Sequence, residues 1–184
     1  TSASGTASNI GGNINFQIAN RNLSSGNSRA DNGYLNGTAG CLNLVELIRG
    51  NVYSFTLSPY GQNYEQLRVW IDYNNNGIFE NATEQIFYQN NIGPPSRYNI
   101  SVNGNLTVPL SAVTNTVLRM RVIEELGTTH SSAYNITSSC YNPVYGQAED
   151  FPVIIYANSA LPVTYSSFKA IADGADVLLH WKTE

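Results

Sequence analysis

Oxygen-bearing side chains alternate in one short stretch, residues 69–84: V-W-I-D-Y-N-N-N-G-I-F-E-N-A-T-E. Asp72, Asn74 and Asn76 each carry a side-chain oxygen, and Gly77 follows at once. A hard cation such as calcium takes its ligands from a loop of this pattern. Alternate side chains turn inward, the glycine permits the sharp bend, and the next carbonyl, that of Ile78, can face the ion. A helix-framed calcium loop counted from Asp72 would close on a bidentate glutamate at position twelve. Thr83 stands there, and Glu84 comes one residue later. A β-framed loop need not keep helical register, so Glu84 is the expected closing ligand, with Glu80 the second choice. Few carboxylates are on offer, which predicts weak binding in the ~10⁻⁴ to 10⁻³ M class of extracellular modules. The competing reading is an Asn-Gly-rich turn satisfied by its own side chain-to-backbone hydrogen bonds.

Other residues that could do chemistry are fewer. Glu149 and Asp150 precede an apolar strand, and Arg119 and Arg121 lie on another. They either complete a cation site or form an Arg–carboxylate pair that fixes strand register at the sheet margin. Glu124 and Glu125 read as a solvated strand end; as an acid pair with Asp150 they would suit glycoside hydrolysis only at the right separation. The two histidines, His130 and His180, stand far apart, and there is no G-x-S-x-G, no H-E-x-x-H and no Cys/His cluster with zinc spacing. The expectation is therefore a non-catalytic chain. Tyr53, Tyr60, Tyr64, Tyr73, Tyr88 and Tyr98 could stack on a glycan or another cell-surface ligand, or could be half-buried strand residues with wet hydroxyls. Cys41 and Cys140 are expected to form a disulfide in an oxidising compartment, the alternative being two free thiols.

The elements that must hold these residues are strands. The 184 residues are rich in Asn, Ser, Thr, Gly and Tyr, which favours strands joined by turns. Only 12% are charged and the net charge is -4, with no basic stripe, so no nucleic-acid partner is expected. No apolar run approaches 18 residues, so no transmembrane segment is expected either. The small polar run from Thr1 fits a processed amino end. Apolar residues alternate in 13–19, 52–57 and 116–123, residues 66–73 read as the strand that delivers the loop, and 145–156 reads as a long strand ending in the apolar run F-P-V-I-I-Y. Residues 42–48 and 52–57 flank Arg49-Gly50-Asn51 and predict a hairpin, and Asn103-Gly104 predicts a strand break. The fold class is all-β: an antiparallel, jelly-roll-like β-sandwich over 1–157. Residues 158–184 read as a linker and a β-hairpin, either the first strands of a second β-domain or a tail that pairs with a neighbouring copy and builds a homopolymer.

Three blocks in this order, W-I-D-Y-N-N-N-G-I-F-E-N-A-T-E, then V-L-R-M-R-V with a later cysteine, then Y-G-Q-A-E-D-F-P-V-I-I, resemble the GEVED domain family. The likeness runs over roughly residues 10–156, and the family's name comes from the segment matching Gly146 to Asp150. Gln147 and Ala148 depart from its first Glu and its Val, and Asn76 stands where Asp would bind more strongly. The resemblance implies an accessory β-module of secreted bacterial proteins that use type IX secretion. The tail is similar to the start of the immunoglobulin- or fibronectin type III-like domain that often follows. Together these point to a secreted or cell-surface, calcium-stabilised module for adhesion or glycan binding. The alternatives are a structural or assembly module and an accessory domain of a secreted hydrolase.

Overall fold

The computed structural model describes residues 14–24, 34–39, 43–59, 63–93, 100–129, 131–157, 165–174 and 176–183. Cys41, Tyr60, Tyr98 and His130 lie outside the described residues.

Strand alternation builds two sheets, because a strand with one face on a core needs an apolar side chain at every second place. The smaller sheet contains β1 (Asn15–Ile18), β2 (Arg21–Ser24), β5 (Val52–Ser58) and β8 (Val102–Thr107) in the order β2-β1-β5-β8, all antiparallel. The larger contains β3 (Tyr34–Asn36), β4 (Val45–Ile48), β6 (Glu65–Ile71), β7 (Gln85–Ile92), β9 (Val117–Leu126) and β10 (Gln147–Tyr156). Its order is β3-β10-β9-β6-β7, with β4 also on β10. β3 and β4 both run parallel to β10, and the other pairings are antiparallel. There is no α-helix among the described residues, and no helix long and apolar enough to cross a membrane. The all-β sandwich is thus present.

The inner faces of both sheets share one core, with Phe16, Phe55 and Leu57 from one side and Val69, Met120 and Phe151 from the other. Phe55 meets Phe16 and Phe87 edge-on, at 5.6 and 5.5 Å between ring centres, the arrangement that ring quadrupoles favour. The strand does not break at Asn103-Gly104. β8 runs through it, and any Cβ at Gly104 would collide with the Phe55 ring.

The predicted hairpin about Gly50 is corrected. β4 and β5 leave the turn into different sheets, β4 to β10 and β5 to β1 and β8. Arg49 N–H donates to Tyr156 O at 3.0 Å and Gly50 N–H to Val108 O at 2.9 Å, so the turn is a corner stitched to both layers. Burial decides this: Leu47 and Leu57 reach the same core from opposite sides, which strands of one hairpin could do only across a sheet.

The tail forms its own two-stranded sheet, β11 (Tyr165–Asp173) and β12 (Asp176–Thr183), as expected. Phe168 faces Trp181, Ala170 faces Leu179 and Ala172 faces Val177, which puts these six on one side of the hairpin.

Candidate functional site

β6 is a central strand, buried along its whole length. It delivers the Asp72 loop to a fixed place: Ile71 N–H donates to Glu84 O at 3.0 Å and Asp72 N–H to Arg119 O at 2.9 Å. The loop then folds on its own side chains. The Asp72 carboxylate accepts the N–H groups of Asn76 at 3.1 Å and Gly77 at 3.0 Å. Asn74 Oδ1 accepts from Asn76 N–H at 2.9 Å, and Asn76 Oδ1 from Ile78 N–H at 2.8 Å. Glu84 accepts from Asn74 N–H at 3.2 Å and from Glu80 N–H at 3.0 Å. The left-handed turns fall on Asn75 (φ 56) and Gly77 (φ 81), types that tolerate them.

All five residues expected at a cation site therefore lie in one loop. Asp72 and Glu84 are buried. Ile78 enters through its N–H, with its side chain 64% exposed. The self-bonded turn expected as the competing reading is present in every bond above. The two readings are chemically compatible, since a carboxylate oxygen that accepts one N–H keeps a second lone pair. Glu80 completes the acid set, taking the side-chain amides of Asn76 at 2.8 Å and Asn74 at 3.3 Å. Burial, followed by the hydrogen bond to the Glu80 carboxyl, pushes Glu84 up, while bonds from Glu84 and Asn76 hold Glu80 down. Two carboxyls placed side by side favour a proton or a cation between them. No three Asp, Glu, His or Cys side chains converge as an ion-holding group among the described residues, so any ion here would lean on Asn oxygens and backbone as well.

The loop is sealed to the outer face of the large sheet. Trp70 Nε1–H donates to Asn81 Oδ1 at 2.9 Å, and the Asn81 amide donates to Thr137 O at 3.1 Å. Trp70, Ile123, Ile136 and Ala148 make a second small core, with Phe79 and Tyr141 against it. Asp150 lies on this face. It takes Arg121 at both oxygens, each at 2.7 Å, and Tyr34 Oη–H at 2.9 Å. This is the register-fixing pair, and it leaves Asp150 no part in the cation loop.

Glu124 and Glu125 are not a solvated strand end; both are fully buried. Glu125 accepts the N–H groups of Leu126, Val144 and Tyr145 and the Tyr141 hydroxyl, and so anchors the 127–146 connection. Glu124 points the other way, into the core, near Glu65, Gln147 and Glu149. The sequence pattern alone puts Glu124 in solvent and does not single out Glu65, because a charged residue near a strand end is usually exposed. Parity could have found them: Leu118, Met120 and Val122 face the core, so Glu124 must as well. Among the described tyrosines of this set, the environments differ. Tyr73 is buried, the Tyr53 hydroxyl accepts Ile48 N–H at 3.0 Å, and Tyr88 is 59% exposed under the Arg68 guanidinium. Cys140 is an exposed free thiol, so the expected bridge to Cys41 does not appear among the described residues.

Residues 66–154 match the model of the GEVED domain family. None of the curated proteins matches the chain. Among solved structures, the PKD domain of an M14-like peptidase from a Thermoplasmatales archaeon is 13% identical, with a TM-score of 0.33; the alignment covers 82% of this chain and 99% of that one. A CARDB domain from Pyrococcus furiosus, in complex with di-metal ions, is 12% identical with a TM-score of 0.31, covering 82% of this chain and 98% of that one. The family match starts in β6 and ends in β10, enclosing the Asp72 loop, β9 and the segment from Gly146 to Asp150. The segment 66–154 is thus similar to the GEVED domain family, as the three sequence blocks lead one to expect.

Proposed function

We propose that this chain is an accessory, non-catalytic β-module of a secreted or cell-surface protein, steadied by one calcium ion at the Asp72 loop. The observation that carries the reading is the pair of buried carboxylates, Asp72 and Glu84, held at fixed places by backbone N–H groups of the same loop. Calcium would take Asp72, Asn74, Asn76, the Ile78 carbonyl and Glu84. It would act as a clamp, because the loop is tied to Thr137 through Asn81.

A thermal melt tests this. Calcium at about ten times Kd should raise the midpoint by about 4 °C over chelator, since a ligand bound only to the native state stabilises it. Asp72→Asn should lose the loop's share of that shift. An identical wild-type midpoint with calcium and chelator would sink the reading.

The finer role is adhesion to a glycan or another surface ligand, for which exposed Tyr88 and the edge-to-face Tyr134–Tyr145 pair offer aromatic faces. The hairpin favours a second reading. Phe168, Val177, Leu179 and Trp181 are all about half or more exposed on one side of it, which suits assembly or domain spacing through residues 158–184, the sandwich being 1–157. Glycan-array binding lost in Tyr88→Ala would favour adhesion. Concentration-dependent sedimentation, abolished when the chain ends at residue 157, would favour assembly.

A further inference from the structure

A second set of oxygens lies at the core-facing end of the large sheet, apart from the Asp72 loop. Gln147 of β10 stands opposite Glu124 of β9, Glu124 opposite Leu67 of β6, and Glu65 opposite Leu126. Side chains alternate across a strand, so Glu65, Glu124, Gln147 and Glu149 share the face of Val69, Val122 and Phe151, which is the core. None of the four is more than 1% exposed.

Glu65 Oε2, both carboxylate oxygens of Glu124 and Gln147 Oε1 are buried and receive no hydrogen bond. The Gln147 amide nitrogen donates to Glu149, which fixes the amide in this corner and leaves its oxygen over. The arginines of these strands, Arg68, Arg119 and Arg121, lie on the opposite face by parity. Charges without water or partners are strongly disfavoured in a core, and an orphaned polar atom there calls for a proton, a water or an ion. Burial, then the charges of Glu65, Glu149 and Glu125, push Glu124 well up, and these neighbours act as charges rather than as hydrogen-bond partners. A proton turns one acid into a donor but leaves the remaining acceptors facing each other. A cation answers all of them at once.

We propose that this corner binds one hard divalent cation, with Glu65 and Glu124 as charged ligands and the Gln147 amide oxygen as a neutral one. Two carboxylates match a divalent charge, and an all-oxygen donor set selects the calcium class over softer metals. Glu149 is the positioning residue, since it holds the amide that turns the Gln147 oxygen inward. The site is independent of the Asp72 loop and uses no atom of it.

The test counts calcium bound to the full chain after dialysis in calcium buffer, and measures the melt with calcium and with chelator. Wild type should hold one equivalent more than Glu124→Gln, and Asp72→Asn should keep that equivalent. In chelator, Glu124→Gln should melt no lower than wild type, because the glutamine fills the same volume without the charge, yet its calcium-induced shift should be smaller. Glu65→Gln should repeat the pattern and guards against a folding defect in one variant. Calcium lost in Asp72→Asn but unchanged in Glu124→Gln and Glu65→Gln would overturn this proposal and leave the loop reading standing. Loss in the two glutamine variants alone would do the reverse. Wild type without bound calcium, with a midpoint that moves only with pH, would assign the corner to protons and overturn both.

Discussion

Glu124 and Glu125 are neighbours in sequence with opposite chemistry. Glu125 has four donors, three of them backbone N–H groups. Glu125→Ala would leave the Val144 and Tyr145 amides unanswered and should cost about 3 kcal/mol, read as a lower denaturant midpoint with a similar slope. Both oxygens of Glu124 and the Oε2 of Glu65 have no donor among the described residues, so without a cation the charge there can be removed only by protons. Burial, then the Glu125 charge, push Glu65 from 4.5 to about 9, and burial, then its acid neighbours, push Glu124 well up. A folded-state pKa above the unfolded value means that the folded form holds the proton more tightly. That stability is full below about 4.5 and is lost as pH rises through about 9. In chelator the melting midpoint should therefore fall from pH 5 to pH 9, and Glu124→Gln should flatten the slope. A midpoint that climbs over that range would contradict the buried corner. At this scale the loop acids and the Asp150–Arg121 pair were legible in the sequence, because spacing and opposite charge announce them. The core acids were not, because their burial depends on which neighbouring strands cover β9.

At the scale of elements, alternation located β1, β5 and β9 well, since each has one face on the same core, and the apolar run at the end of 145–156 located β10. Turn chemistry was less informative. Arg49-Gly50-Asn51 is a proper turn, with Gly50 at φ 79, but a local bend is the same whether its strands pair or part. The parting is decided by β10, about a hundred residues later, which takes β4 as a parallel neighbour. Gly104 misled in the opposite sense, since it serves the Phe55 ring and not a turn. The Asp72 loop was read correctly as an element because its bonds are nearly all internal. Its attachment through Trp70, Asn81 and Thr137 was not visible, for that contact joins segments 56 residues apart.

For the whole molecule, composition and the three family blocks anticipated an all-β accessory module, and the GEVED match to 66–154 agrees. The hairpin of β11 and β12 pairs only with itself among the described residues, and two strands alone are marginal in water. The placing of β10 has a consequence for how the chain comes into being. The last strand of the sandwich is also the one that joins β3, β4 and β9. Until residue 156 has been made, the large sheet lacks the member that binds its two halves, and pairs such as Tyr34 with Ala148 must close over more than a hundred residues. A fragment ending at residue 146 should accordingly show no cooperative melt, whereas one ending at 157 should. If the fragment behaves so, a chain made in this order would reach its final strand unfolded, in the form a narrow pore requires.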